Sequence, residues 1–464
     1  MSLSSGALLA NRPFRGGPFA PVYNVKSMFG AYGDGVHDDT AAIQAAVDAC
    51  GTGGGGRVFV PSEPFLISST ILVPYSGVQI VGVPGPTGKE GMTPNSGSRL
   101  IAASGAFGDH SQMIYFGNGV TSDIYVGSGI RGLNLLSNGS AEGAWLINID
   151  QGLVLDVYVN NAYSTGLFAA AVNNTVDSVR ILRCKVSNTQ GGTNTLNGIA
   201  TPTSAISLGG AVYYSVIGLC SVISNLGDGI SLGGTAQSAG TGCKLIQCNA
   251  DSTTGNQFLL AGGYLIFRGN TTFNPAGKSA LLVYGGEGHI ISGNLLQGAN
   301  SSGTQTGGNG AVLYNNSGRI NQIRNNIIGV SGAGSPTAGI YEQGVNSGSG
   351  CLYENNDLRG VTVPVTIASG PSVSTFRNNA GYNPVGSSVP ATAFALPASG
   401  TAWTNNTGVD GTLHVTAAGT VTDVVLHGVT VGSSLSVGQS FFVPAGGTIT
   451  LTYTTAPTLV FVGN

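Results

Sequence analysis

The 464-residue chain carries 76 glycines and 19 prolines, a load of backbone breakers that excludes long helices. Yet 41% of it is apolar, only 8% is charged and the mean hydropathy is +0.22, so it must bury surface rather than stay disordered, and an ordered all-β protein is expected. With 17 Lys+Arg against 20 Asp+Glu the formal charge is −3 and no basic tract is present, which argues against nucleic-acid partners; no apolar run approaches the roughly 20 residues of a bilayer span, which argues against membrane insertion, and Met1 to Arg15 shows no signal-peptide pattern.

Residues 1–23 read as an N-terminal extension. Next comes the most specific stretch: Phe29-Gly30-Ala31-Tyr32-Gly33-Asp34-Gly35, then Asp38-Asp39-Thr40, a helical run at about 40–49, Gly53 to Gly56, and Val58-Phe59-Val60-Pro61. The glycines permit a tight turn, Asp38 or Asp39 caps the helix, and Ile43, Ala46 and Val47 give it one apolar face suited to plugging the open end of a solenoid. Residues 24–61 resemble the start of the pectate-lyase-like superfamily, which includes polygalacturonase-type hydrolases, alginate epimerases and bacteriophage tailspike depolymerases. The resemblance implies a right-handed parallel β-helix and a carbohydrate substrate, without fixing a reaction. Asp34, His37, Asp38 and Asp39 read as turn and cap residues.

Residues 24–386 are assigned to the β-helix because a repeat of about 21 to 36 residues runs through them. In each copy a short strand ends at a polar corner, a Gly/Ser/Thr loop follows, and a second strand alternates apolar residues. The first strand places Tyr158, Leu182, Gly218, Ile246, Phe267, Ile291, Ile323, Tyr353 and Phe376 inward. Three residues on, the corners are Asn161, Lys185, Ser221, Asn249, Asn270, Asn294, Asn326, Asn356 and Asn379. Asn tolerates left-handed backbone and can bond its own image one coil away. The second strand gives inward pairs from Trp145 and Ile147, Leu167 and Ala169, through to Val365 and Ile367. Cys184, Cys220 and Cys248 fall in one inward column as buried thiols. Excursions at 187–204, 297–310 and 329–338 leave along one edge, as walls of a binding groove would. Residues 387–400 read as a linker, and the Gly-punctuated alternation of 401–464 predicts a small β-sandwich-like domain similar to terminal domains of phage tail proteins.

Glycoside hydrolysis calls for two carboxylates, and in a β-helix residues of one column stand about 5 Å apart in neighbouring coils. No same-column carboxylate pair is evident in this register. The acids are therefore weighed singly: Asp228 at the start of a second strand, Glu287 beside His289, and Glu342, a carboxyl in a column that should face inward and hence a candidate acid with a raised pKa. Tyr284 and Tyr341 are available for sugar stacking, and Arg319 stacks with Glu287. Asp228, Glu287, Glu342 and His289 are thus the catalytic candidates, and Tyr284, Arg319 and Tyr341 the substrate-binding ones. No metal site and no cofactor are expected, apart from calcium if the chemistry is elimination. The epimerase-type and polygalacturonase-type constellations are incomplete, so the tailspike-like members are the better match. They imply a homotrimer, extracellular or on a virion tail, that binds and cleaves a polysaccharide and is thermostable. Two other readings fit: a non-catalytic receptor-binding or adhesive fibre, and a secreted bacterial pectate-lyase-like or polygalacturonase-like enzyme.

Overall fold

A computed structural model describes residues 20–463 apart from 86, 89–90, 93–95, 108–110, 119–122, 193–194, 197–198, 201–202, 234–239, 274–277, 299–310, 316–319, 330–337, 343–349, 362, 368–373, 383–391, 394, 406–409 and 445–446. The chain divides into two compact units, Met1–Gly227 and Asp228–Asn464. Both contain coils of a parallel β-helix, and each coil passes through three sheets, one more than the two strands per repeat expected.

In the first unit, sheet 1 runs through Val22–Asn24, Gly56–Phe59, Val78–Val81, Gly129–Arg131, Leu153–Leu155, Arg180–Leu182 and Val216–Gly218, all parallel. Sheet 2 runs from Pro64–Ile67 to Ser221–Ile223, and sheet 3 from Ile71–Val73 through Glu142–Ile147 and Leu167–Asp177 to Ser204–Tyr213. In the second unit the same three sheets run from Lys244–Ile246 to Thr375–Arg377, Asn249–Asp251 to Asp357–Gly360, and Asp228–Leu232 to Val365–Ile367. Phe258 of sheet 3 meets Phe267 of sheet 1 edge to face at 5.0 Å, which identifies both as lumen residues.

The turn from sheet 1 to sheet 2 takes one left-handed residue per coil: Asp156, Arg183 and Leu219 in the first unit, and Gln247, Asn325, Asn355 and Asn378 together with Gly269 and Gly293 in the second. The residue after it is buried: Val157, Cys184 and Cys220, then Cys248, Asn270, Asn294, Asn326, Asn356 and Asn379. From Asn270 to Asn379 the corner Asn therefore does not itself supply the left-handed turn, its neighbour does; Asn161, just past the sheet 2 strand Tyr158–Asn160, is itself left-handed at φ +61°. What the corner Asn supplies is the ladder, with Asn270 N–H donating to Asn294 Oδ1 at 2.8 Å, Asn294 to Asn326 at 3.1 Å, Asn326 to Asn356 at 3.1 Å and Asn356 to Asn379 at 3.0 Å.

From Phe267 onward the expected first-strand register holds. Earlier it is one residue late: the column runs through the fully buried Ile181, Ile217 and Leu245, each one residue before the expected Leu182, Gly218 and Ile246, and Tyr158 belongs to sheet 2, level with Lys185. Adjacent apolar residues such as Ile181-Leu182 give alternation no means of choosing a face. The same ambiguity misplaces Trp145 and Ile147. Ala144 and Leu146 align with Leu167 and Ala169, while Trp145 and Ile147 stand on the opposite face in a separate cluster with Tyr115, Phe168, Ala170 and Val172.

The starting edges of sheets 2 and 3 in the first unit are covered, and that of sheet 1 is reduced to a three-residue strand, which limits the template for unwanted pairing. Val22–Asn24 lies beside sheet 1, so the 23/24 boundary falls inside a strand. Asp39 N–H donates to Leu66 O on sheet 2 at 2.8 Å. On sheet 3 the Gln44 amide imitates a strand, donating to Leu72 O and accepting from Leu72 N–H, both at 2.9 Å. Gln44 belongs to the helix Thr40–Thr52, three residues longer than expected, which buries Ile43, Ala46, Val47 and Cys50. Asp39 holds the N-cap position without capping; its carboxylate accepts from Tyr32 N–H at 2.6 Å and Gly33 N–H at 3.1 Å, and Asp38 instead accepts from Thr40 N–H.

The C-terminal strands form two four-stranded antiparallel sheets. Leu413, Val424, Phe441, Val443, Ile449, Leu451 and Phe461 are among the residues of their shared core. Thr392–Ala393 pairs with Thr458–Gly463, so the sandwich begins inside the expected 387–400 linker; two residues are too few to leave an alternating pattern. Among the described residues no helix is long and apolar enough to cross a membrane.

Candidate functional site

Returning from sheet 3 to sheet 1, each coil again takes a left-handed residue: Gly127, Gln151, Ser178 and Tyr214 in the first unit, Gly242, Tyr264, Gly288 and Ile320 in the second. In the first unit the residues just before it are Val126, Asp150, Asp177 and Tyr213, and the register partners are Val126 with Asp150 and Asp177 with Tyr213. Asp177 N–H donates to Asp150 Oδ1 at 2.9 Å, which places the two aspartates next to each other on neighbouring coils. Burial, and after it the like charge of Asp177, push the Asp150 carboxyl above its ordinary range, against the opposing pull of the Asp177 and Gln151 N–H groups. Tyr213 follows, its ring 6.3 Å from that of Tyr214, which is 66% exposed.

This is the same-column carboxylate pair that the sequence register does not contain. The strand Leu167–Asp177 runs eleven residues, well past the inward pair Leu167 and Ala169 at which the expected strand ends. The usable signal is the matching Ile149-Asp150 and Val176-Asp177, each placed three residues before the start of a sheet 1 strand.

The predicted site residues all lie in the second unit, and the structure scatters them. His289 is fully buried: its Nδ1 accepts from Leu265 N–H at 3.3 Å, so Nε2 carries the proton and donates to Gly285 O at 2.9 Å. Burial pushes its pKa down, and both ring nitrogens are spent on backbone, which corrects its assignment as an acid–base group facing substrate. Glu342 does face inward, level with Asn315 and Ile367, and is 4% exposed. Ser374 Oγ donates to its Oε1 at 2.5 Å, while Asn315 Nδ2 donates to the Tyr353 hydroxyl at 2.8 Å. Burial raises the Glu342 pKa as anticipated, but a carboxyl enclosed in the lumen does not meet a polymer outside it. Asp228 Oδ1 accepts from Asn256 N–H at 2.6 Å, and Asn256 Oδ1 in turn accepts from Ser279 N–H at 3.3 Å, so Asp228 is a rung of another corner ladder. Burial raises its pKa, opposed by Asn256 and the Lys278 charge.

Glu287 stays half-buried at the sheet 3 to sheet 1 turn, its Oε1 3.4 Å from the hydroxyl of Tyr264. Tyr284 is 41% exposed near the end of the preceding sheet 3 strand, Leu281–Gly285. Tyr341 packs on the outer face of sheet 3 against a cluster that includes Leu259, Leu282 and Ala338. Arg319 lies outside the described residues, as do 299–310 and 330–337 of the expected groove walls. Asp156 pairs with Arg183, through two bonds of 2.7 and 2.6 Å. Among the described residues no three His, Cys, Asp or Glu side chains converge as metal ligands would.

Residues 22–124 match the family model described as rhamnogalacturonase A/epimerase, pectate lyase-like. A mannuronan C5-epimerase of Azotobacter vinelandii is 52% identical over 66 residues, 13% of this chain and 5% of that protein. A capsule KN3-specific depolymerase of Klebsiella phage KN3-1 is 27% identical over 180 residues, 36% of this chain and 22% of that protein. The chain thus spans less than a quarter of the length of either relative. Among solved structures, the tailspike protein of E. coli bacteriophage HK620 in complex with pentasaccharide superposes with a TM-score of 0.52 at 13% identity, covering 92% of this chain and 90% of that one. At that identity the likeness is one of fold.

Proposed function

We propose that this protein binds and hydrolyses a polysaccharide, extracellularly or at a virion tail, with Asp150 and Asp177 as the reacting pair. The observation that carries the reading is the bond from Asp177 N–H to Asp150 Oδ1, which sets two carboxyl groups side by side on the turn of neighbouring coils, with Tyr213 next in register. The two relatives, a mannuronan C5-epimerase and a capsule-specific depolymerase, support a polysaccharide as the substrate class. In the proposed chemistry Asp150, whose pKa burial raises, donates to the glycosidic oxygen as the bond breaks, and the Asp177 carboxylate takes the anomeric carbon. Water then displaces Asp177 with Asp150 as base. Neighbouring coils stand about 5 Å apart, nearer the ~5 Å spacing of retaining enzymes than the ~6.5–9.5 Å of inverting ones.

The test is incubation with a panel of bacterial capsular and uronate polysaccharides, with and without calcium, following reducing ends and the ultraviolet absorbance of unsaturated uronates together. New reducing ends without absorbance, lost about 10²–10⁴-fold in Asp150→Asn and Asp177→Asn, are expected. Absorbance that depends on calcium would replace hydrolysis by elimination. Tight binding with neither signal would leave a receptor-binding fibre.

Assembly into a homotrimer belongs to the same proposal. It is supported by the sandwich's edge strand Val429–Gly432, where Val429 and Val431 are exposed, by Phe442, exposed on Ser440–Val443 of the other sheet, and by a sequence with no Asp, Glu, Lys or Arg after Asp423.

A further inference from the structure

Tyr264 occupies a backbone position that suits glycine. Its φ is +50°, and the same turn position is glycine in the coils on either side, Gly242 and Gly288. A bulky L-residue there is strained, and such strain persists where something else repays it. Packing does not, because Tyr264 is 55% exposed. Its ring lies across Gly288, where an added Cβ would come within 2.5 Å of the ring. The floor beneath is fixed: Tyr264 N–H donates to Glu287 O at 2.8 Å, Gly286 abuts the backbone of Gly262 with no room for a side chain, and His289 ties back to Gly285 O. The result is an aromatic plate with one face on a glycine floor and the other open, the Glu287 carboxylate at its hydroxyl edge and Tyr284 exposed near the end of the strand Leu281–Gly285.

We infer that Tyr264 is a stacking platform for a pyranose ring and that Glu287 accepts hydrogen bonds from that sugar's hydroxyls, a glycan-binding subsite made of residues other than the carboxylate pair. A ring face rich in C–H groups fits the negative face of the aromatic, and a carboxylate at the plate's edge meets the equatorial hydroxyls. The subsite rests on the polysaccharide reading above.

The test uses the full chain carrying Asp177→Asn, so that polysaccharide is bound without being cut, and measures its affinity for each polymer of the same panel. Tyr264→Gly in that background is expected to melt at or above the parent temperature, because the strain is relieved, while binding about three- to tenfold more weakly. Tyr264→Phe keeps the plate and is expected to bind within about twofold of the parent. A Tyr264→Gly protein that binds as tightly as its parent, or one that melts several degrees lower, overturns the subsite and makes Tyr264 a structural residue. Should binding survive Tyr264→Gly while Asp177→Asn still abolishes cleavage, the hydrolase stands and only the subsite falls. If no polymer in the panel is bound or cut, the polysaccharide reading falls and takes the subsite with it.

Discussion

Glu342 carries a carboxyl into the lumen of a coil beside Ser374, Tyr353, Asn315 and Cys351, whose thiol burial pushes up to about 11. Because the folded pKa of Glu342 lies above its ordinary value of 4.5, the folded chain holds that proton more tightly than the unfolded chain does. Its contribution to stability is therefore complete below about pH 4.5 and is lost as pH rises through the folded value. Glu342→Gln, which keeps the shape without the titration, is expected to gain on the wild type as pH is raised from 4 to 8 in thermal melts; a constant difference would show that Glu342 titrates normally. His289 has the opposite sense, its lowered pKa costing stability as pH falls below about 6.5. At this scale the sequence was informative about Glu342, whose inward column and raised pKa follow from alternation alone. It could not show that the lumen is closed to substrate, nor that a histidine four residues past the end of the strand Leu281–Gly285 would turn its ring back on Gly285.

Among elements, the corner ladder carries the clearest cost. Asn326 accepts from Asn294 N–H and Nδ2 and donates to Ile291 O and Asn356 Oδ1, all of it buried. Asn326→Ala strands those partners and is expected to cost about 2–4 kcal/mol in guanidinium unfolding, whereas Asn325→Gly, at the left-handed position next to it, is expected to stay within about 1 kcal/mol of wild type. Equal losses at both sites would mean that the turn and not the ladder holds the coil. The five Asn rungs from Asn270 to Asn379 were readable because a polar residue recurring in an apolar column leaves one choice of register. Cys184, Cys220 and Cys248 fill the same corner upstream, but being apolar they did not mark it, and the register slipped among Ile181-Leu182 and Leu245-Ile246. That slip, with the unrecognised length of Leu167–Asp177, is why the carboxylate pair escaped notice while the superfamily motif did not.

For the molecule as a whole, exposure of an uncharged strand edge is a commitment to a partner or a hazard. A lysine at Val431, 50% exposed on Val429–Gly432, is expected to lower the solution mass measured by light scattering toward that of one chain while leaving the fold intact; an unchanged mass would move the proposed trimer contact elsewhere. In the first unit Asp39 and Gln44 already occupy the starting edges of sheets 2 and 3, so growth by edge pairing is blocked there. The Asn ladder also has a direction. Every rung presents its carbonyl to the coil before it and its amide nitrogen to the coil after, so the small dipoles add along the stack instead of cancelling. A coil grafted into this stretch without its asparagine would do more than lose two hydrogen bonds: it would cut one long electric polarity into two short ones.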